Sequence, residues 1–299
     1  HRPPQGGLQV GVALFGGGIG DLPSCDRARG SRIERCELRE NVAVFGGAFY
    51  GEGAESDLLT CVIVRNLSAS TAAVHFNGYC GHAFELPFVT HCLIAENSNV
   101  NLSDMDPSFL AGISGFFHAL NTIVWGNDPL QAGDYVEMDY SSVQGGYAGT
   151  GNIDTMPAFP LGQDWHLLPG SPGVDGGTTT PSRPWPLSDC DGAPRAVDGD
   201  GSGDARPDVG PYEYVPGAPR LAVSPSWIDV DVPRSGPEAE PAQLSIRNCG
   251  DGILHWQASE DSPWLSLSMV EGQSAGQTQN VEITFNTTGL TWGRYIGFV

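Results

Sequence analysis

Cys36-Glu-Leu-Arg-Glu-Asn41 returns as Cys61-Val-Ile-Val-Arg-Asn66, Cys92-Leu-Ile-Ala-Glu-Asn97 and Thr122-Ile-Val-Trp-Gly-Asn127, then fades into Ser141-Ser-Val-Gln-Gly-Gly146. A small residue opens each phrase, an aliphatic follows two places later (Leu38, Ile63, Ile94, Val124, Val143), and Asn closes the first four. Another apolar residue stands three places before each start: Ile33, Leu58, Val89, Ala119 and Met138. Internal repeats at periods of roughly 20–50 residues mark solenoids and related arrays. Positions one and three of a phrase share a face, because strand side chains alternate with period two. The upstream apolar residue breaks that alternation, so a corner separates two short strands. The phrases start 25, 31, 30 and 19 residues apart, so the loops vary while the phrase holds. Short strands joined by corners in units of this length describe the coils of a parallel β-helix, about five to six of them.

Corresponding residues of successive coils then lie about 4.8 Å apart. Cys36, Cys61, Cys92 and Thr122 stack inside, and Asn41, Asn66, Asn97 and Asn127 form a second ladder at a turn, amide to amide. Asn suits that place because its side chain satisfies turn backbone groups and it tolerates left-handed geometry.

Composition agrees. Among 299 residues, 41 Gly and 23 Pro punctuate many turns, and no segment sustains helical periodicity. No apolar run approaches the ~18 residues of a membrane span. The chain has no Lys, and its 14 Arg face 35 Asp and Glu, for a net charge of −21. Such acidity disfavours nucleic acid and anionic lipid, whose phosphates need cationic partners. It favours solubility and divalent cations. Of seven Cys, three occupy the ladder as buried thiols that behave as small hydrophobes. Cys25, Cys80, Cys190 and Cys249 lie elsewhere, and their connectivity is open. No Cys-x-x-Cys pair supports a zinc or redox site.

The chain divides into three stretches. Coils occupy residues 1–159, where Gly16-Gly-Gly-Ile19 and Gly46-Gly-Ala-Phe49 mark equivalent points of consecutive coils. A Pro-, Gly- and Asp-rich closing segment packed on the β-helix spans 160–218. From 219 to 299 the pattern is that of a separate β-sandwich. Its strands are expected at Leu221–Ser224, Trp227–Val232, Ala242–Asn248, Leu254–Ala258, Leu265–Ser268, Asn280–Phe285 and Tyr295–Val299.

These residues carry a resemblance. The ladder region resembles bacterial right-handed parallel β-helix repeat proteins, with Tyr140-Ser-Ser-Val-Gln-Gly-Gly, Gly149-Thr-Gly-Asn-Ile-Asp154 and Pro157-Ala-Phe159 closing the last coil. His166-Leu-Leu-Pro-Gly-Ser-Pro172, Asp191-Gly-Ala-Pro-Arg195 and Asp208-Val-Gly-Pro-Tyr-Glu213 are similar to the choice-of-anchor closing segment. Gly173-Val174 replaces that family's Cys-Ile pair, which removes a disulfide partner for Cys190, and Pro211 stands where Ala is usual. The last domain resembles a BACON-type immunoglobulin-like module through Leu221-Ala-Val-Ser-Pro225, Ile246-Arg-Asn248, Gly252-Ile-Leu-His-Trp256, Ser262-Pro-Trp-Leu-Ser266, Gly289-Leu290 and Gly293-Arg-Tyr-Ile-Gly297. The family's final strand would follow Val299. Together the resemblances imply a secreted or bacterial cell-surface protein, with carbohydrate contact in the terminal module.

Chemistry is sparser. A lyase needs a base, and without Lys the coils offer Arg27, Arg29, Arg32, Arg35, Arg39 and Arg65; Arg39 and Arg65 fall near corresponding places in adjacent coils. A glycoside hydrolase needs two carboxylates roughly 5–10 Å apart, and Glu137 and Asp139 share one strand face. Ordinary outward-facing charges are the favoured reading of Arg39 and Arg65, and catalysis is the minority reading of both sets. Asp104 and Asp106 fall in a long loop, and His75, His82, His91 and His118 are scattered. Asp198-Gly-Asp200-Gly-Ser202-Gly203-Asp204 follows the opening of a calcium loop, with Val209 where Glu is expected and Asp208 one place earlier. A structural Ca²⁺ and an acidic turn-rich loop both fit this pattern. Trp227, Trp256, Trp264 and Trp292 are the candidate sugar platforms. Trp256 and Trp264 suit core positions, and Trp292, the one expected to be exposed, fits packing at a strand end better than sugar stacking. The expectation is a non-catalytic extracellular or cell-surface scaffold for adhesion or for contact with a polysaccharide, glycan or other partner. The competing class is a polysaccharide-acting lyase or glycoside hydrolase of the β-helix type.

Overall fold

The structure, a computed structural model, describes residues 12–15, 19–21, 31–52, 56–78, 86–100, 111–160, 164–180, 183–225, 228–232 and 239–299. Gly16 to Gly18, Cys25, Arg27, Arg29, Cys80, His82, Asp104, Asp106 and Trp227 lie outside them.

Four parallel sheets wrap one core, and each of five coils contributes to them in turn. The first sheet holds Val12–Phe15, Val42–Phe45, Leu67–Ser68 and Ser98–Asn99. The second holds Ile19–Asp21, Phe49–Glu52, Val74–Asn77, Ala111–Gly115 and Leu130–Ala132. The third holds Arg32–Glu34, Asp57–Leu59, Phe88–Thr90, Phe117–Leu120 and Val136–Asp139. The recurrent phrase builds the fourth: Glu37–Arg39, Val62–Val64, Leu93–Ala95, Ile123–Trp125 and Ser142–Val143. This is the parallel β-helix that the spacing predicts.

Register puts like residues on like. Leu38, Ile63, Ile94, Val124 and Val143 align rung by rung in the fourth sheet. Ile33, Leu58, Val89, Ala119 and Met138 do the same in the third. Both columns point into the core, where Phe49, Phe76 and Phe117 add an aromatic stack with centroids 4.9 and 5.0 Å apart.

The two polar ladders explain the phrase's fixed ends. Cys61 N donates to Cys92 Sγ (3.4 Å), Cys92 N to Thr122 Oγ1 (3.3 Å), and Thr122 N to Ser141 Oγ (3.1 Å). The cysteines among the described residues are free thiols. At the next corner, the backbone N and Nδ2 of Asn41 both donate to Asn66 Oδ1, at 3.0 and 2.9 Å. Asn66 repeats this on Asn97, and Asn97 on Asn127. Gln131 Oε1 then accepts from Asn127 N and Nδ2, ending the ladder. Each buried amide is satisfied by the coil beside it, which is what makes a polar group tolerable inside.

The left-handed backbone does not fall on these Asn residues, as the sequence suggested, but one place earlier. Glu40, Arg65, Glu96 and Gly126 have φ of 54–70°, and Arg35, Thr60, His91, Asn121 and Tyr140 have φ of 47–56° before the thiol and hydroxyl ladder. The turn residue bends the chain, and the following ladder residue secures the bend.

Gly170–Tyr214 belongs to the same compact unit as the coils, whereas Phe159–Pro169 and Val215–Val299 form a second unit. Within the first unit the closing segment runs along the corner column that precedes the thiol ladder. Asn121 exchanges hydrogen bonds with Thr178 (2.9 and 3.2 Å), and His91 meets the Trp185 ring at 4.7 Å. Thr60 O accepts from Cys190 Sγ (3.1 Å) and Thr60 Oγ1 from Arg195 Nη2 (3.3 Å), while Arg35 Nη2 donates to Ser188 O (3.3 Å). The segment is thus a strap with one anchor on each of the first four coils.

The second unit has two antiparallel sheets, as in an immunoglobulin-like sandwich. One orders Leu221–Ser224, Ala242–Asn248, Gln279–Phe285 and Leu265–Leu267; the other pairs Leu254–Gln257 with Glu271–Ser274. Leu244, Ile246, Trp256, Leu265, Val281 and Ile283 fill the core, and Trp264 packs against it. Two expected strands do not form. Ile228 to Val232 alternates in sequence, yet finds no ladder partner among the described residues and leaves 229–232 exposed. Tyr295 to Val299 is also irregular; Phe298 N meets Asp261 Oδ1 (2.8 Å), and no strand runs beside it among the described residues.

Candidate functional site

The outer face of the third sheet carries a set of ionisable groups. Alternation along Val136–Asp139 buries Val136 and Met138 and turns Glu137 and Asp139 outward. Asp139 Oδ2 lies 3.0 Å from His118 Nε2, and its Oδ1 accepts from Thr150 N (2.6 Å). Phe88, His118 and Glu137 are register neighbours on this face. The Arg183 guanidinium sits 4.6 Å over the Phe88 ring and 3.5 Å from Asp57. Asp139 is therefore engaged by two partners, while Glu137 is exposed beside it.

Arg39 and Arg65 are not brought to these carboxylates. Arg39 ends a strand of the fourth sheet and pairs with Glu37; Arg65 occupies the corner after Val64 and pairs with Glu96 at 2.9 Å. Because Arg39 aligns with Val64, the two arginines sit one register position apart. Each is neutralised locally. The histidines are likewise held by the fold. Burial lowers His75 to about 4, with Nδ1 2.8 Å from Ser114 Oγ. Burial, then nearby Arg195, hold His91 well below its ordinary range.

Asp198 and Asp200 do converge, and a residue the sequence pattern did not flag joins them. Asp175 offers a carboxylate oxygen, and the three oxygens lie within 4.8 Å of one another. Asp175 Oδ2 already accepts from Gly199 N and Asp200 N (2.8 Å each), Asp200 Oδ1 from Ser202 N (2.8 Å), and Asp198 Oδ2 from Gly203 N (2.9 Å). Asp204 is not one of the three, and Ser202, on the same exposed loop, hydrogen-bonds Asp200. Three carboxylates are a hard-cation donor set, short of the six to eight oxygens that calcium takes.

Asp208 faces the other way. It is fully buried, with Oδ1 accepting from Asp175 N (2.8 Å) and Oδ2 from Tyr214 N (2.5 Å). Burial first, and neighbouring Glu213 second, raise its carboxyl to about 8. Glu213, raised by burial and lowered by Arg195, accepts from Arg195 Nη1 (2.8 Å) and Asp208 N (3.1 Å). Asp189 Oδ2 accepts from Glu213 N (2.9 Å). This network is the knot that fastens the strap.

Aromatic surface appears in two places. Trp292 is 90% exposed on the second unit, whereas Trp256 is core. On the coils, Phe116 and Tyr135 stack with ring centroids 4.6 Å apart and planes 20° from parallel, and both are exposed. The first sits at the bend between Ala111–Gly115 and Phe117–Leu120, where Phe117 enters the core and Phe116 stays exposed. No protein-family model matches the chain, and neither the curated proteins nor the solved structures provide a match.

Proposed function

We propose that this chain is a non-catalytic, extracellular or cell-surface β-helix scaffold that presents surfaces for adhesion and glycan contact. Export to a bacterial surface, a choice-of-anchor-like role for the strap and a BACON-type role for the sandwich belong to the same reading. The observation that carries it is the strap, which fastens to Arg35, Thr60, His91 and Asn121, one per coil. Such an arrangement stiffens a rod of coils and leaves the outer sheet faces to present side chains. The charged groups on those faces suit presentation as well: Arg39 and Arg65 are paired with Glu, and Asp139 with His118. A glycan array probed with the purified chain tests the reading. Saturable binding to a defined glycan class supports it, and no binding across neutral and acidic glycans contradicts it.

A further inference from the structure

The surface pair on the coils gives the glycan-contact reading an address, and the inference rests on that reading. We propose that Phe116 and Tyr135 form the stacking platform for an uncharged pyranose. Phe49, Phe76 and Phe117 lie in the core, whereas Phe116 is 44% and Tyr135 58% exposed. The two rings lie nearly parallel and in contact with water.

The local backbone is built to hold this pair. Gly78, one coil back, lies directly beneath Phe116: a Cβ there would stand 2.8 Å from the Phe116 ring. Glycine thus lets the ring lie on the neighbouring coil. Tyr135 has φ of 67°, outside both columns of ladder corners. A bulky residue in the left-handed region is held there only by its surroundings. Its turn is closed on both sides, by Gly133 N to Ile113 O (2.9 Å) and Gly115 N to Asp134 O (3.3 Å). A strained turn therefore sets one ring against another that is already seated.

The surroundings select the occupant. An aromatic face is electron-rich, and the C–H groups on one face of a pyranose carry a small positive charge, so the two stack. Asp134 and Glu137, exposed on either side of Tyr135 in the chain, supply carboxylates that accept from sugar hydroxyls. Asn77, adjoining Gly78, aligns with exposed Glu52 in the second sheet. The charges that frame the platform are acidic, and the chain carries −21 overall. Uronates and sulfated sugars are repelled, so the fitting ligand is neutral.

Affinity electrophoresis in gels containing galactomannan, hydroxyethyl cellulose or polygalacturonate tests this. The wild-type chain is expected to be retarded by a neutral polymer and not by polygalacturonate. Tyr135→Asn, which tolerates positive φ, should keep the thermal midpoint and lose tenfold or more in affinity; Tyr135→Phe should keep both. Wild-type retardation that Tyr135→Asn and Phe116→Ala leave unchanged would overturn the address and leave the glycan reading standing. Retardation by polygalacturonate alone would overturn the neutral preference. No retardation by any polymer would overturn both address and glycan reading. A change of self-association in Tyr135→Asn, with sugar binding intact, would assign the pair to a second copy and overturn the proposal.

Discussion

Arg195 Nη1 lies 2.8 Å from Glu213 Oε1, with both side chains sealed from solvent. The same guanidinium donates to Gly210 O and Pro211 O (3.1 Å each) and to Thr60 Oγ1 (3.3 Å). One cation therefore joins two turns of the strap to the second coil. Removing it strands a buried carboxylate. Arg195→Ala should destabilise the protein by about 3–5 kcal/mol, read as a shift in the urea midpoint. A loss under about 1 kcal/mol, the size of an exposed pair, would show that the knot is not fastened as described.

Stability should fall at mildly alkaline pH. Asp208 is raised to about 8 from an ordinary carboxyl value near 3.8, chiefly by burial and then by Glu213. The charged groups around it are Glu213, Asp175, Asp189 and Arg195, with His91 on the coil corner. A raised carboxyl binds more protons folded than unfolded. Its contribution is complete below the unfolded value and is lost as pH climbs through the folded one. His75 and His91 act oppositely, because their lowered values remove stability as pH falls below about 6.5. The clean window is pH 7 to 8, above the histidines and below the ordinary thiol value of about 8.5, because the buried cysteines are raised as well. There the thermal midpoint should drop in wild type and drop less in Glu213→Gln, which keeps an acceptor for Arg195 but removes the neighbouring charge. Parallel profiles for the two proteins would contradict this assignment.

The Asn ladder should fail as a chain of orphans. Asn66→Ala removes the acceptor for Asn41 N and Nδ2 and the donor to Leu38 O and Val64 O. Each stranded buried group costs about 1–3 kcal/mol, so the total should exceed that of Gln131→Ala at the partly buried end of the ladder. Equilibrium denaturation of both variants checks the order, and a Gln131 variant that is the less stable of the two would refute the ladder account.

The thiols should be silent in the folded state. Cys61 and Cys92 are fully buried, and burial raises Cys190 to about 12. Hydrogen bonding with Cys61, then burial, raise Cys36 as well. Thiolate is the reactive form, so iodoacetamide at pH 7.5 should label these four sites only after unfolding. Mass spectrometry showing native-state labelling at Cys61 or Cys92 would contradict the stacked arrangement.

Much of the fold was legible because coil stacking repeats one chemical demand. Leu38, Ile63, Ile94 and Val124 answer it identically, and so do the four Asn residues. Gln131 was hidden because the fifth coil is short: it finishes the ladder four residues after Asn127, not at the next phrase. The strap anchors were hidden because Thr60, His91 and Asn121 share a corner and no residue type. Glu271–Ser274 has little strand character of its own and forms through its pairing with Leu254–Gln257. Ile228 to Val232 shows the converse, alternation without a partner. Asp175 joined Asp198 and Asp200 from more than 20 positions away, a proximity that loop spacing does not encode.

Incubating the chain with the polysaccharide it binds, and following new reducing ends together with absorbance from unsaturated products, tests the central claim most directly. A rigid presenting scaffold predicts saturable binding with neither signal above the buffer blank. Steady release of ends or unsaturated sugars, abolished in Glu137→Gln, would contradict it and make the third sheet's outer face an active site.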